Sequence, residues 1–276
     1  MCKRAFFGVS RGDFCVCSGN FGGNKHLSPP PLEKSMSETL HVICLRTTRY
    51  SDRHAILSAY SLERGAVSLL VPEGRSRGAV RVRALTMPLS IGECEVDVRP
   101  GRSVYNFHDL RPLTALSGLR GNPIKGAVAH FLAEVVSGVL REGQPDRAMY
   151  EYVARSIVLF DGMATRVAVD FHLWFLYRVA VVGGVAPDVS TWREGRYFDM
   201  ADGVFRASPP LHTHYLSPDE SRVVALMDRV SYRAMRCLGL NHTQRNRMLD
   251  VALEYFGMHY PGVSSLKSLD VLRTLF

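Results

Sequence analysis

The chain has 276 residues, enough for one or two domains. With 46% hydrophobic and 22% charged residues it is too apolar to be disordered throughout, and no run reaches the roughly 18 apolar residues of a membrane span. The net charge of +8 comes from 34 Lys+Arg against 26 Asp+Glu, and all but five of the basic residues are Arg. Arg forks suit phosphate oxygens and base edges, so the excess points to an acidic partner without naming it.

Residues 1–35 are rich in Gly, Ser, Asn and Pro and end in Ser28-Pro29-Pro30-Pro31. They follow neither hydrophobic period and read as a flexible tail. The patterned chain opens at Met36, which makes Met36 a candidate natural start and the tail a candidate extension. The apolar stretch Ala5 to Val9 is too short for an export signal. The six cysteines (Cys2, Cys15, Cys17, Cys44, Cys94 and Cys237) lack the spacing of a disulfide framework or a zinc site. That usage suits a reducing cytoplasm.

From Thr39 to about His108 the signals are short and strand-like. Leu40 to Leu45, Ala55 to Tyr60, Val67 to Val71, Leu85 to Leu89, Ile91 to Val98 and Val104 to Phe107 are bounded by turns such as Arg64-Gly65. Five or six strands over residues 36–111 fit a small barrel of the oligonucleotide-binding (OB) type. After Arg111-Pro112 the period changes. Val128, Phe131, Leu132, Val135 and Val139 share a helical face. Asp146 is placed to cap a helix reaching Phe160, and residues 167–182 are apolar nearly all round, as in a central helix stopped by Gly183-Gly184. Residues 185–217 are irregular, with a hairpin at Asp202-Gly203. Ser217-Pro218-Asp219-Glu220 opens another helix, and further helices are expected from about Thr243 to His259 and along Leu266, Leu269 and Leu272. The fold class is therefore α+β: an OB barrel, then a mainly helical domain over 112–276 carrying a small irregular insert.

The most informative stretch holds Arg75, Arg77, Arg81 and Arg83 within nine residues, and no acid lies between Glu73 and Glu93. Read as a flexible basic connection between barrel strands, it is placed to follow a phosphate backbone; the blander reading is a solvated loop. Arg49 and Arg53, in the turn after the first strand, extend the patch. Tyr50, Tyr60, Tyr105 and Phe107 are available for base stacking if they face outward. Glu93, Glu95 and Asp97 share one face of a strand. They form either a solvated face or the acidic row of a metal-dependent nuclease, and an OB-type RNA-binding module is a third reading. His212 and His214 form a weak metal candidate in a Pro-rich loop. His130 and His172 read as surface and core histidines, and Asp199 and Asp202 as turn residues. No P-loop, nucleophile elbow, zinc-protease or kinase motif is present.

Several strings, in order, resemble the bacterial recombination mediator family RecO in its zinc-less Bacteroidetes-like form. Ile43 to Asp52, Ile56-Leu57 and Tyr60 to Gly65 look like that family's first hairpin. Gly74 to Gly78, followed by Ala84 to Leu89, resembles its basic loop and next strand. Ala129 to Val135 resembles its first core helix, Tyr197 to Phe205 with Pro210 to Leu216 its insert, and Tyr260 to Gly262 with Leu266 to Leu272 its ending. The resemblance covers roughly residues 36–276. It implies a non-enzymatic protein, cytoplasmic and associated with the nucleoid. Such a protein binds single- and double-stranded DNA and anneals complementary strands. It recognises the acidic C-terminal tail of single-stranded DNA-binding protein (SSB) and, with RecR, helps load RecA. Many members hold zinc through four cysteines in the insert; this chain has none between Pro187 and His214, so no zinc or other cofactor is expected and the hairpin stands in as the staple. The resemblance assigns DNA contact to Arg75, Arg77, Arg81 and Arg83, with Arg49 and Arg53 beside them. The SSB tail, acidic and ending in Phe, calls for an apolar pocket with basic residues, for which Arg245, Arg247 and Lys267 are candidates. Charge is not concentrated in the barrel: residues 1–35 and 36–111 each carry +3 and residues 112–276 carry +2, so the local Arg cluster is the sharper signal.

Overall fold

A computed structural model describes residues 36–98, 102–168, 170–263 and 266–275. The expected tail over 1–35 lies outside them. Five strands close a barrel: β1 (Met36–Arg49), β2 (His54–Ser61), β3 (Gly65–Pro72), β4 (Ile91–Val98) and β5 (Val104–Pro112), in the order β1-β2-β3-β5-β4. A single long strand serves two neighbours. β1 pairs with β4 from Met36 to Ile43 and with β2 from Val42 to Arg49, bending where the register shifts between Cys44 and Arg46. Parallel pairing of Ser68–Leu70 with Val104–Asn106 completes the closure. Alternate residues of each strand point inward, so Leu40, Val42, Leu57, Leu69, Val96 and Leu110 fill the interior. The thiols of Cys44 and Cys94 are buried there, and burial pushes both pKa values up to about 12, which marks them as core fillers.

Between β3 and β4 the chain forms α1 (Arg77–Leu85), not the flexible connection expected there. Ser76 caps it, its Oγ accepting from the Ala79 N–H at 3.2 Å. Ala79 is buried, and Val82 and Leu85 pack on the barrel core. That i, i+3, i+6 spacing lay hidden among the arginines. The strand expected over Leu85 to Leu89 is likewise absent. The helix ends at Leu85, and Leu89 sits at φ +63° with its N–H on the Cys44 carbonyl, filling the bulge of β1.

The helical domain comprises α2 (Ser117–Arg120), α3 (Pro123–Val139), α4 (Arg147–Gly162), α5 (Thr165–Ala168) and α6 (Phe171–Val182). After the insert follow α7 (Pro218–Met227), α8 (His242–His259) and α9 (Leu269–Leu275). Asp146 caps α4 through the Met149 N–H at 2.9 Å. Ser217 and Glu220 form a reciprocal capping box on α7. The expected helix over 167–182 divides into α5 and α6, with Asp170 at the start of α6. In the insert, β6 (Tyr197–Asp199) pairs with β7 (Val204–Arg206) and β8 (Tyr215–Leu216), and Gly203 turns the hairpin at φ +69°.

Barrel and helices share a core. Ile43, Leu45, Tyr60, Leu89 and Ile91 belong to the same buried cluster as Phe131, Val153 and Phe175. The Tyr60 hydroxyl donates to the Asp146 carbonyl at 2.7 Å, and its ring meets Tyr150 edge-on. At Gly65, φ is +72° and a Cβ would stand 2.5 Å from the Gln144 carbonyl oxygen, so only glycine lets the 140s loop close on the barrel.

Candidate nucleic-acid interface

One end of the barrel gathers most of the arginines singled out above. The β1–β2 turn is held by Ser51, whose Oγ accepts from the His54 N–H at 3.1 Å. The Glu73 N–H donates to the Arg53 carbonyl at 2.8 Å, which sets this turn directly beside the entry to α1. Arg49, Arg53, Arg75, Arg77 and Arg81 are all exposed at this end. Arg77 and Arg81, one turn apart on α1, share a face.

Their partners differ. Arg53, Arg75 and Arg77 make no ion pair among the described residues. Arg81 lies 3.9 Å from Asp109, at the limit of contact. Arg83 is tied back, donating to Glu73 at 2.9 Å and to the Gly74 carbonyl at 2.8 Å. Arg49 holds Asp52 at 2.7 Å in a fully solvated pair. Helix formation thus splits the run: Arg75 and Arg77 are unpaired, Arg81 is nearly so, and Arg83 helps anchor the loop that presents them. Of the aromatics, Tyr50 stands 70% exposed at the tip of the turn, whereas Tyr60 is wholly buried. Tyr105 lies under the Arg64 guanidinium, and Phe107 is half-buried at the barrel mouth.

The acidic row does not form a site. Glu93, Glu95 and Asp97 follow one another along the outer face of β4, opposite His41, Thr39 and Ser37 of β1. Asp97 is engaged by His108 at 3.0 Å. Among the described residues no group of three His, Cys, Asp or Glu side chains is placed to hold a metal ion.

The residues suggested for an acidic tail are not brought together as a set. Arg245 donates from Nε to Asp170 at 2.5 Å, and both side chains are nearly buried. Arg247 donates to Glu220 at 2.7 Å. Lys267 is exposed and lines a groove of about 380 Å³ with Arg46 and Arg141, between walls that include Leu140, Pro261 and Leu266; its one acid, Glu134, accepts from the amide and hydroxyl of Ser268. None of these three cations has an ion-pair partner among the described residues. Sequence reading missed Arg46 and Arg141 because the groove joins segments far apart in the chain.

In the insert a buried carboxylate does the stapling. Asp199 accepts from Arg206 Nε at 2.6 Å and from the Ala201 N–H at 3.1 Å, and His212 Nε2 approaches it at 3.2 Å. Arg206 also reaches Asp202 across the hairpin. Burial alone would raise the Asp199 carboxyl, but Arg206, the Asp202 and Ala201 amides and His212 outweigh it and hold it below the ordinary 3.8. His214 is engaged separately, 2.8 Å from Glu254. His172 is buried with its ring edge-on to Phe131, and His130 is exposed.

Residues 36–116 match the family model for the N-terminal part of recombination protein O, and residues 120–270 match the model for its C-terminal part. The chain belongs to the RecO family. The DNA repair protein RecO of Bacteroides fragilis is 34% identical over 246 residues, covering 89% of this chain and 99% of the relative. RecO of Phocaeicola vulgatus is 35% identical over 234 residues, 85% and 97% of the two chains. RecO of Porphyromonas gingivalis is 32% identical over 238 residues, 85% and 97%. The family is one of DNA repair proteins, and the five-strand barrel with its helical partner is the fold the resemblance implied. No helix among the described residues is long and apolar enough to cross a membrane.

Proposed function

We propose that this protein is a recombination mediator that binds single- and double-stranded DNA, anneals complementary strands and works on SSB-coated DNA with RecR to promote RecA loading. The observation that carries the reading is the barrel end in a chain of a DNA repair family. Arg53, Arg75 and Arg77 are exposed there without ion-pair partners among the described residues, and Arg81 is nearly so. Cations in that state release counterions when they meet phosphates, which gives affinity for any sequence and screens two strands from each other while they pair. For the SSB tail, the groove of Lys267, Arg46 and Arg141 supports the reading better than Arg245, whose charge is spent on Asp170. It combines an apolar wall with a basic rim, as an acidic peptide ending in Phe requires.

The test mixes complementary labelled oligonucleotides with the purified chain and magnesium or manganese. Faster pairing with both strands intact is expected. Cleavage that disappears in Glu93→Gln would establish the nuclease reading instead, and equal competition by RNA would favour a general RNA-binding module. Titration with an SSB-tail peptide is expected to show binding that weakens in Lys267→Ala and survives in Arg247→Ala.

A further inference from the structure

We propose that the cleft beside α1 is a pocket for an unstacked nucleobase, so that this end of the barrel grips single-stranded DNA by its bases as well as its phosphates. The proposal rests on the DNA-binding reading above and deepens it. The cleft measures about 540 Å³, and its walls include His54, Arg81, Asn106, Phe107 and His108. That size falls in the ~300–1,000 Å³ range of small-molecule clefts.

The cleft exists because the barrel seam opens. β3 and β5 pair only as far as Leu70 and Asn106. Beyond that point β3 stays with β2, Val71 opposite Ala55 and Pro72 opposite His54. β5 stays with β4, where Glu95 faces Asp109 and Val96 faces Phe107, leaving His108 as the extra residue of a bulge. The two strands part, and α1, which touches both, lies across the gap without filling it.

The lining suits a flat heterocycle. Phe107 packs against the barrel core on one side and lines the cleft with the rest of its ring. His54 and His108 are exposed imidazoles, the second held by Asp97 of β4 at 3.0 Å with its ring face left open, and Arg81 brings a planar guanidinium. Such faces stack with any base. The Asn106 amide offers a donor and an acceptor to a base edge. Asp109 is the one acid in the lining, and it faces Arg81. Arg53, Arg75 and Arg77, without ion-pair partners among the described residues, lie at the same end to take the adjoining phosphates. A duplex keeps its bases stacked inside, so the cleft favours single strands.

The test compares an oligothymidylate of about 12 nucleotides, within the usual span of one OB fold, with an abasic strand of equal length, which has the phosphates and no bases. Fluorescence anisotropy is expected to show the intact chain binding the thymidine strand about tenfold tighter. In His54→Ala/His108→Ala that preference is expected to collapse while abasic affinity and salt dependence stay unchanged; the retained abasic affinity reports that the variant is folded. A preference that persists in the variant, or equal binding of both strands by the intact chain, overturns the pocket and leaves the DNA reading standing. Failure to bind either strand defeats the DNA reading itself. Photocross-linking of a 5-iododeoxyuridine strand is expected at peptides holding His54 or Phe107 and His108; cross-links confined to the helical domain contradict the proposal.

Discussion

The barrel end and the helical body differ in how particular arginines are held. Arg75 and Arg77 project from the barrel with no ion-pair partner among the described residues, whereas Arg245, Arg247 and Arg273 each hold one carboxylate and Arg206 holds two. The body holds 18 basic residues against 11 in the barrel region, yet the net charges are +2 and +3, so counting charge does not separate the two. Pairing state sorts individual arginines rather than whole regions: Arg141 of the body is unpaired among the described residues, while Arg64 and Arg83 of the barrel are paired. An Arg held by a buried carboxylate, as Arg245 is, must give up that partner to meet a phosphate, while an unpaired one is free to neutralise a phosphate and release its counterion.

The contrast can be broken most forcefully at Arg245. Arg245→Ala leaves Asp170 buried without its cation at the start of α6, and a loss of about 3–5 kcal/mol of stability is expected in urea unfolding. DNA affinity of the folded fraction should not change. If instead stability holds and DNA binding falls, the division between spent and unspent arginines is wrong. Asp199→Ala should cost less, about 1–3 kcal/mol, by leaving its amide donors without an acceptor. The pH dependence has a definite sign. Asp199 titrates below its ordinary value, so its contribution is complete above the unfolded-state value of about 4 and is lost as pH falls through the folded value. Melting of the unaltered chain should therefore decline below about pH 4 more steeply than melting of the variant. Smaller still is Arg247→Ala, whose half-exposed pair with Glu220 is expected to be worth about 0–1 kcal/mol in thermal unfolding. Smallest is Arg83→Ala: because Arg83 is committed to Glu73 and Gly74, DNA affinity should fall less than about twofold, against a larger loss for Arg77→Ala.

Much of the fold was legible because strong local signals agreed with tertiary packing. The Asp146 cap, the Ser217-Pro218 start and the Asp202-Gly203 turn all stand where their chemistry placed them. The Arg-rich stretch misled for a physical reason. Its glycines and arginines look like a loop, and the only helix signals are the Ser76 cap and three small or medium apolar residues at Ala79, Val82 and Leu85, which need the barrel mouth to pack against. The site was legible only in part. The local run of arginines is visible in sequence, but which of them are neutralised depends on Glu73 and Asp109, brought in by folding. The groove of Arg46, Arg141 and Lys267 joins a strand, a loop and the chain's last segment, and no spacing rule connects them.

The most direct measurement of the central claim is the salt dependence of DNA binding by the chain with Arg75, Arg77, Arg81 and Arg83 all changed to Ala, set beside the intact chain. Weaker binding to every sequence is expected, by about two orders of magnitude, with a plot of log affinity against log salt that is shallower by about 0.7–0.9 for each phosphate the variant no longer neutralises. A slope equal to that of the intact chain would place the DNA elsewhere on the molecule and contradict that claim.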